Sequence, residues 1–192
     1  MTRRIVLLDG HPDPDEGRFV HALASAYRNG AQEAGHEVRS IALARLDFPI
    51  LRSKDEFETG QLPAALVEAQ EAVRWGEHLA IFFPLWLGTM PALLKGFLEQ
   101  ICRPGFAFEQ TRGFPSGALK GRSARIVVTM GMPAPAFRVL FGAHGLKNLE
   151  VGILGFAGIR PIRETLVGTV DGSPHARSRA LTEMVRLGSL GR

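Results

Sequence analysis

The chain has 192 residues, 45% hydrophobic and 22% charged, with a formal net charge of +4 at pH 7. That length buries a core but is short for two comfortable domains, so one domain over residues 1–192 is expected. The single cysteine, Cys102, excludes an intrachain disulfide and a Cys-rich metal site and suits a reducing cytoplasm. No basic run exceeds Arg3-Arg4, which favours anionic small molecules over nucleic acid, and no segment has the roughly 18 apolar residues of a membrane span. The apolar run at residues 5–8 is too short for a signal peptide, so neither export nor membrane insertion is expected.

In chain order, short apolar runs alternate with longer amphipathic segments, the pattern of a parallel sheet covered by helices on both faces. Residues 5–8 read as the first strand, 18–34 as a helix ended by Gly35, and 37–42 as the second strand. Residues 43–60 carry no period and read as a long loop, followed by a helix over 63–75. The third strand spans 79–83, closed by Pro84, and Pro91 suits the first turn of a helix over 91–101. Residues 103–120, rich in Gly and Pro, read as a second long loop. The fourth strand is 124–129. Gly142 and Gly145 interrupt the apolar stretch 135–149, so a short or broken helix is expected there, resuming over 151–156. A last strand over 161–170 and a closing helix over 175–187 complete the chain.

In an open parallel sheet a ligand sits outside the carboxyl ends of the strands, so the loops that follow the strands are where chemistry is sought. After the first strand comes Asp9-Gly10-His11-Pro12-Asp13-Pro14-Asp15-Glu16-Gly17-Arg18-Phe19, running into a helix N-terminus. Arg18 and His11 suit a phosphate, whereas Asp13, Asp15 and Glu16 suit an ordinary helix start, and the two readings stand level. No Gly-x-x-x-x-Gly-Lys-Ser/Thr and no Gly-x-Gly-x-x-Gly follows any strand, which disfavours P-loop nucleotidases and the standard dinucleotide fold. After the third strand, Pro84-Leu85-Trp86-Leu87-Gly88-Thr89-Met90-Pro91 sets large apolar side chains where polar turn residues are usual. That is a platform for a flat heterocycle or, equally, packing beneath a loop. Thr129-Met130-Gly131 follows the fourth strand, and its glycine admits close backbone approach or simply a turn. The remaining histidines lack metal-ligand spacing, so no metal is expected.

Five segments together resemble the NAD(P)H:quinone oxidoreductase family of flavodoxin-like proteins. They are His11-Pro12 with Arg18-Phe19, the run from Pro84 through Phe97, Pro104-Gly105-Phe106-Ala107-Phe108, Leu119-Lys120-Gly121, and Thr129-Met130-Gly131. The resemblance covers about residues 3–170, and residues 84–108 are its most specific part. It implies an α/β three-layer sandwich with a five-stranded parallel sheet in the order 2-1-3-4-5. It also implies a bound flavin, NAD(P)H as electron donor, a quinone-like acceptor reduced by ping-pong transfer, and a homodimer. On this resemblance His11, Arg18 and Phe19 meet the flavin phosphate and ribityl chain. Pro84, Leu85, Trp86 and Leu87 line the isoalloxazine, and Thr129, Met130 and Gly131 close its other edge. Phe106 and Phe108 border the substrate pocket near the dimer interface, and His144 matches a catalytic histidine.

The chain departs from the family at two places. Arg18-Phe19-Val20 replaces a common Ser-Phe-Asn, and Phe137 stands at the candidate position for a tyrosine of many mammalian-type members. Without a hydroxyl at 137 a Tyr/His relay cannot operate, which leaves His144 to stabilise negative charge on the reduced flavin. FMN is expected over FAD, because the chain lacks the long C-terminal extension of the larger FAD-binding members. Two readings from other classes stand beside this one: an ancillary regulatory subunit of a potassium-efflux system, and a flavodoxin-type electron carrier. The basic charge and the lack of a Ser/Thr-Gly-rich phosphate loop count against the carrier.

Overall fold

The protein is described by a computed structural model that covers residues 2–109 and 115–192. In chain order it runs β1 (Arg4–Asp9), α1 (Phe19–Glu33), β2 (Glu37–Ala42), α2 (Lys54–Glu58), α3 (Val67–Trp75), β3 (His78–Pro84) and α4 (Ala92–Ile101). A small hairpin of β4 (Phe108–Glu109) and β5 (Ser116–Gly117) follows, then β6 (Ser123–Thr129), α5 (Ala134–Leu140), α6 (His144–Lys147), β7 (Ile162–Val167) and α7 (Pro174–Ser189). The main sheet is parallel throughout in the order β2-β1-β3-β6-β7, which is the 2-1-3-4-5 order expected of its five strands.

Alternation along each strand builds two apolar layers. Ile5, Leu7, Ala80, Phe82 and Val127 face α1 and α7, while Val6, Leu8, Ile81, Phe83, Ile126 and Val128 face α3, α4 and the helical stretch after α5. Every residue of β3 is buried, as a central parallel strand demands, and each fully buried Phe or Leu stabilises the fold by roughly 1.5–3 kcal/mol. On the α1/α7 side the two helices approach so closely that a Cβ on Gly30 would overlap the Val185 carbonyl, and one on Gly188 the Tyr27 carbonyl.

Three expected loops or breaks are more ordered than the sequence pattern suggests. Within 43–60, Leu43–Arg45 forms a 3-10 turn and α2 forms a short helix. Ser53 Oγ accepts from Glu56 N–H at 3.1 Å and the Glu56 carboxylate accepts from Arg52 N–H at 2.9 Å, satisfying N-terminal donors of α2 from side chains. Arg103 pins this stretch to α4: its guanidinium donates to the Glu56 and Gly60 carbonyls at 2.8 and 2.6 Å and to the Gln100 carbonyl at 3.0 Å. Within 103–120 the β4–β5 hairpin forms; residues 110–114, Gly113 among them, lie outside the described residues.

The third difference lies after β6. The break in the helix falls at residues 141–143, where Gly142 and Ala143 have positive φ. From His144 the chain is then helical without interruption, α6 passing into wide π-helical turns over Asn148–Gly155. Phe156 N–H to Val151 O and Ile159 N–H to Leu154 O are the i+5 bonds of such turns. Finally, β7 is shorter than the expected 161–170, because Thr169 and Val170 fold back and donate to the Met132 and Met130 carbonyls.

Candidate functional site

The loop after β1 is held by its own side chains. His21, one turn into α1, sets Nδ1 2.5 Å from Asp9 Oδ2 and Nε2 2.9 Å from the Asp13 carbonyl. Both partners only accept, so the ring donates from both nitrogens and is the charged imidazolium. Burial opposes that charge, but the Asp9 carboxylate and Asp13 carbonyl outweigh it and raise the His21 pKa. His11 shows the reverse pattern. Its Nδ1 accepts from Asp13 N–H at 3.0 Å, and burial followed by the charge on His21 lowers its pKa. It is therefore the neutral tautomer, 7% exposed, with an Nε2–H that has no acceptor among the described residues.

The acidic residues of the loop shape it. Asp13 accepts from Asp15 N–H at 2.9 Å, and Asp15 from Gly17 N–H at 3.0 Å. The bond from Asp15 N–H, then Arg18, holds the Asp13 carboxyl below the usual carboxylate range. Arg18 pairs with Asp13 at 2.7 Å and with Asp15 at 3.5 Å and is exposed. Phe19 packs against the α1/α7 layer, with the Arg177 guanidinium 4.4 Å over its ring.

The turn after β3 is built differently. Trp86 N–H donates to Thr89 O at 2.9 Å and Thr89 N–H to Trp86 O at 3.0 Å, closing a two-residue turn with φ of 47° at Leu87 and 79° at Gly88. Both central residues are in the left-handed region, which for a leucine costs about 1–2 kcal/mol. The result is a Leu87 side chain entirely exposed and a Trp86 ring 48% exposed, beside the buried Pro84 and half-buried Leu85. The Trp86 ring lies 6.0 Å from the His11 ring, edge to face, so the loops after β1 and β3 meet.

Two further segments frame this turn. Thr129 accepts from Leu85 N–H at 2.8 Å and Met130 N–H donates to Val167 O at 2.9 Å; both residues are buried, and Gly131 is open, with nothing within 4 Å of where its Cβ would lie. The N–H groups of Leu87, Gly88 and Gly131 have no acceptor among the described residues. From the other side, Gly145 seats α6 on the turn, since a Cβ there would overlap the Gly88 carbonyl and Thr89. His144, the residue before it, is exposed beside the turn. Phe137 is wholly buried in the core, so its lack of a hydroxyl leaves no donor missing.

Phe106 and Phe108 part company. Phe106 is turned into the core with the Arg74 guanidinium 5.1 Å over its ring. Phe108 is half-buried between Phe57 of α2, at 6.2 Å, and Phe156, at 5.0 Å. The residues missed in the sequence are Asp9 and His21: an acid at a strand's carboxyl end and a histidine one turn into the next helix are a readable pair once the loop between them is allowed to curl. Among the described residues no three His, Cys, Asp or Glu side chains are arranged to hold a metal ion, and no helix is long and apolar enough to cross a membrane.

The chain belongs to the family described as having the flavodoxin-like fold, which matches residues 3–187. It is 24% identical, over 93% of its length and 90% of the relative's, to a protein of Haemophilus influenzae described as an uncharacterized NAD(P)H oxidoreductase. It is 25% identical over 89% of both chains to FMN-dependent NADH:quinone oxidoreductase 3 of Bacillus anthracis. The NAD(P)H:quinone oxidoreductase of Methanothermobacter marburgensis superposes with a TM-score of 0.80 at 23% identity, covering 98% of each chain. The last two bear names of the kind that the family resembled by the sequence carries.

Proposed function

We propose that this protein is a flavin-dependent NAD(P)H oxidoreductase that reduces quinone-like acceptors. The observation that carries the reading is the strained Trp86–Thr89 turn, which holds apolar side chains in solvent at the carboxyl end of the central strand. Exposed apolar groups on a backbone that costs energy to form are explained by a flat partner covering them. The surrounding donors fit a flavin: the free N–H groups of Leu87, Gly88 and Gly131 suit the polar edge of an isoalloxazine, and the free His11 Nε2–H suits a phosphate or ribityl oxygen. Arg18 would join that phosphate contact only by loosening its pairs with Asp13 and Asp15, and Phe19 would support the loop from the core side.

A flavin held there by the turn after β3 and by Gly131 would supply two-electron hydride chemistry between NAD(P)H and the acceptor, and two half-reactions in one site would give ping-pong kinetics. The protein's share would be orientation by Pro84, Leu85, Trp86 and Leu87, hydrogen bonding from Gly131 on an edge that the buried Thr129 and Met130 hold in place, and exclusion of water. His144, next to the Gly145 that seats α6 on the turn, would donate to negative charge on the reduced cofactor. FMN is the cofactor that relatives of matching length favour, with FAD the alternative. Phe108 would border the acceptor pocket, and the inward Phe106 would support it from behind.

A homodimer belongs to the same reading. Val139, Leu140, Phe141, Val151 and Phe156 are exposed within one stretch, residues 139–156, that frames the site. Absorbance spectra of the purified protein before and after adding FMN or FAD test the function. Flavin bands that bleach with NADPH and return with a benzoquinone are expected; no flavin retained under any condition would sink the reading. Sedimentation would decide the dimer.

A further inference from the structure

The amino-terminal half of the sheet, away from the site above, holds a second set of polar groups. On the face covered by α1 and α7, the parallel register sets His78 beside Ser123 in one row. The next row on that face runs Leu7, Ala80, Arg125, Arg163, so two arginines stand directly opposite each other on neighbouring strands. Tyr27 of α1 covers this face, its ring 5.7 Å from that of Phe82. Tyr27, His78 and Arg125 are 0%, 2% and 5% exposed, burial that is unusual for a histidine and an arginine.

Each of the three carries an atom with nothing to bond to. Tyr27 Oη, His78 Nε2 and Arg125 Nε make no hydrogen bond among the described residues. Burial raises the Tyr27 pKa, so the hydroxyl keeps its proton and is a donor. Burial, then repulsion from Arg3, Arg125, Arg163 and His36, lowers His78 to about 3, so its ring is neutral. Its Nδ1 lies 2.8 Å from Ser123 Oγ, and accepting from that hydroxyl leaves Nε2–H as the free donor.

The charge is unanswered as well. Arg125 donates from Nη1 to Thr165 Oγ1 at 2.7 Å, a neutral oxygen. Glu183 is the acid whose charge acts on it, but that carboxylate is closed on Arg186 at 2.6 Å. A buried guanidinium without an anion is costly, and the opposed Arg163 adds to the cost. Water would answer the hydrogen bonds and leave the charge.

We propose that Arg125 Nε, His78 Nε2 and Tyr27 Oη bind a weakly hydrated monovalent anion, chloride in the cell, that ties α1 to β3 and β6. Three single donors with Leu7, Ala80 and Phe82 for neighbours suit a small ion. A phosphate, with four oxygens and up to two charges, would leave oxygens unpaired there. The flavin reading has no part in this inference.

Thermal denaturation of the full chain in about 0.2 M sodium bromide, chloride or fluoride tests it, with Tyr27→Phe and Arg125→Met as variants. In bulk, fluoride is the better stabiliser, so a specific site reverses the order. Wild type is expected to melt about 4–7 °C higher in bromide or chloride than in fluoride. In both variants the bromide affinity, read from the rise of melting temperature with concentration, should weaken about tenfold or more. Crystals grown in bromide should show an anomalous peak between Arg125 Nε and Tyr27 Oη. The bulk salt order in wild type, bromide affinity unchanged in either variant, or no peak there overturns the proposal. If Arg125→Met fails to fold, Tyr27→Phe, which removes one oxygen, decides with the peak.

Discussion

The loops after β1 and β3 meet at the His11–Trp86 contact yet are built on opposite plans. In the first, almost every polar side chain is used internally: Asp9 and the Asp13 carbonyl hold His21, Asp13 and Asp15 hold backbone N–H groups, and Arg18 closes on both acids. In the second, the backbone is forced into the left-handed region and the side chains are left unpacked. A self-satisfied loop is stable without a ligand, whereas an unsatisfied one has its counterpart outside the chain. The acids of the first loop, which read as unfavourable to a phosphate, are thereby accounted for as scaffolding.

The sharpest way to break this contrast is Trp86→Ala. Loss of a stacking ring should weaken FMN binding by about 1–3 kcal/mol, roughly 5- to 150-fold, with little change in melting temperature because the ring is half in solvent. Fluorescence titration and thermal denaturation of the same samples check both halves. Unchanged affinity would remove Trp86 from the site.

Asp9→Asn should do the opposite, destabilising the apo protein by about 2 kcal/mol, or some 4–8 °C, since it leaves the part-buried imidazolium without its charged partner. The loss should also depend on pH. A histidine with a raised pKa in the folded state stabilises fully below its ordinary 6.5, and the contribution fades as pH rises through the folded value. His11, with its pKa lowered, acts in the other sense on acidification. The difference in melting temperature between wild type and Asp9→Asn isolates His21, and it should be larger at pH 6 than at pH 9.

Leu87→Gly removes the left-handed strain and should raise stability by about 1 kcal/mol, or 2–4 °C, while loosening FMN. A melting temperature at or below that of wild type would mean that the turn stores no strain.

The smallest effect belongs to Glu150. Burial, then the neighbouring Glu164, pushes its pKa up to about 7. The folded state then holds a proton that the unfolded chain releases from about pH 4.5, so this residue's contribution to stability falls as pH rises from there to about 7. Glu150→Gln should flatten that slope and gain at most about 1 kcal/mol at pH 8, visible in melting curves. Arg138 and Lys147 also face the carboxyl and limit the gain.

The sheet was legible because parallel strands buried on both faces are short apolar runs, and the aromatic turn was legible because Trp86 and Leu87 are out of place in a polar loop. What escaped has physical reasons too. Ser53-Lys54-Asp55-Glu56 is a capping-box spacing, but α2 buries no residue and so carries no apolar period. The wide turns of 148–155 have no 3.6-residue repeat to detect. Asp9 and His21 stand twelve positions apart and meet only because the intervening loop curls on itself. Phe106 and Phe108, two residues apart, look alike in sequence, and only the Arg74 lid over one and the Phe57 and Phe156 rings around the other tell them apart.

The crossing of α1 and α7 carries a further consequence. With no room for a methyl group at Gly30 or Gly188, α1 cannot slide or roll on its neighbour, and it behaves as a rod clamped at its far end. The loop that holds His11 is fastened to the other end, about 16 Å away along the helix. A ligand that tightens that loop should therefore be felt along the helix as slower amide hydrogen exchange around residues 185–188, and exchange there that ignores the ligand would break the link.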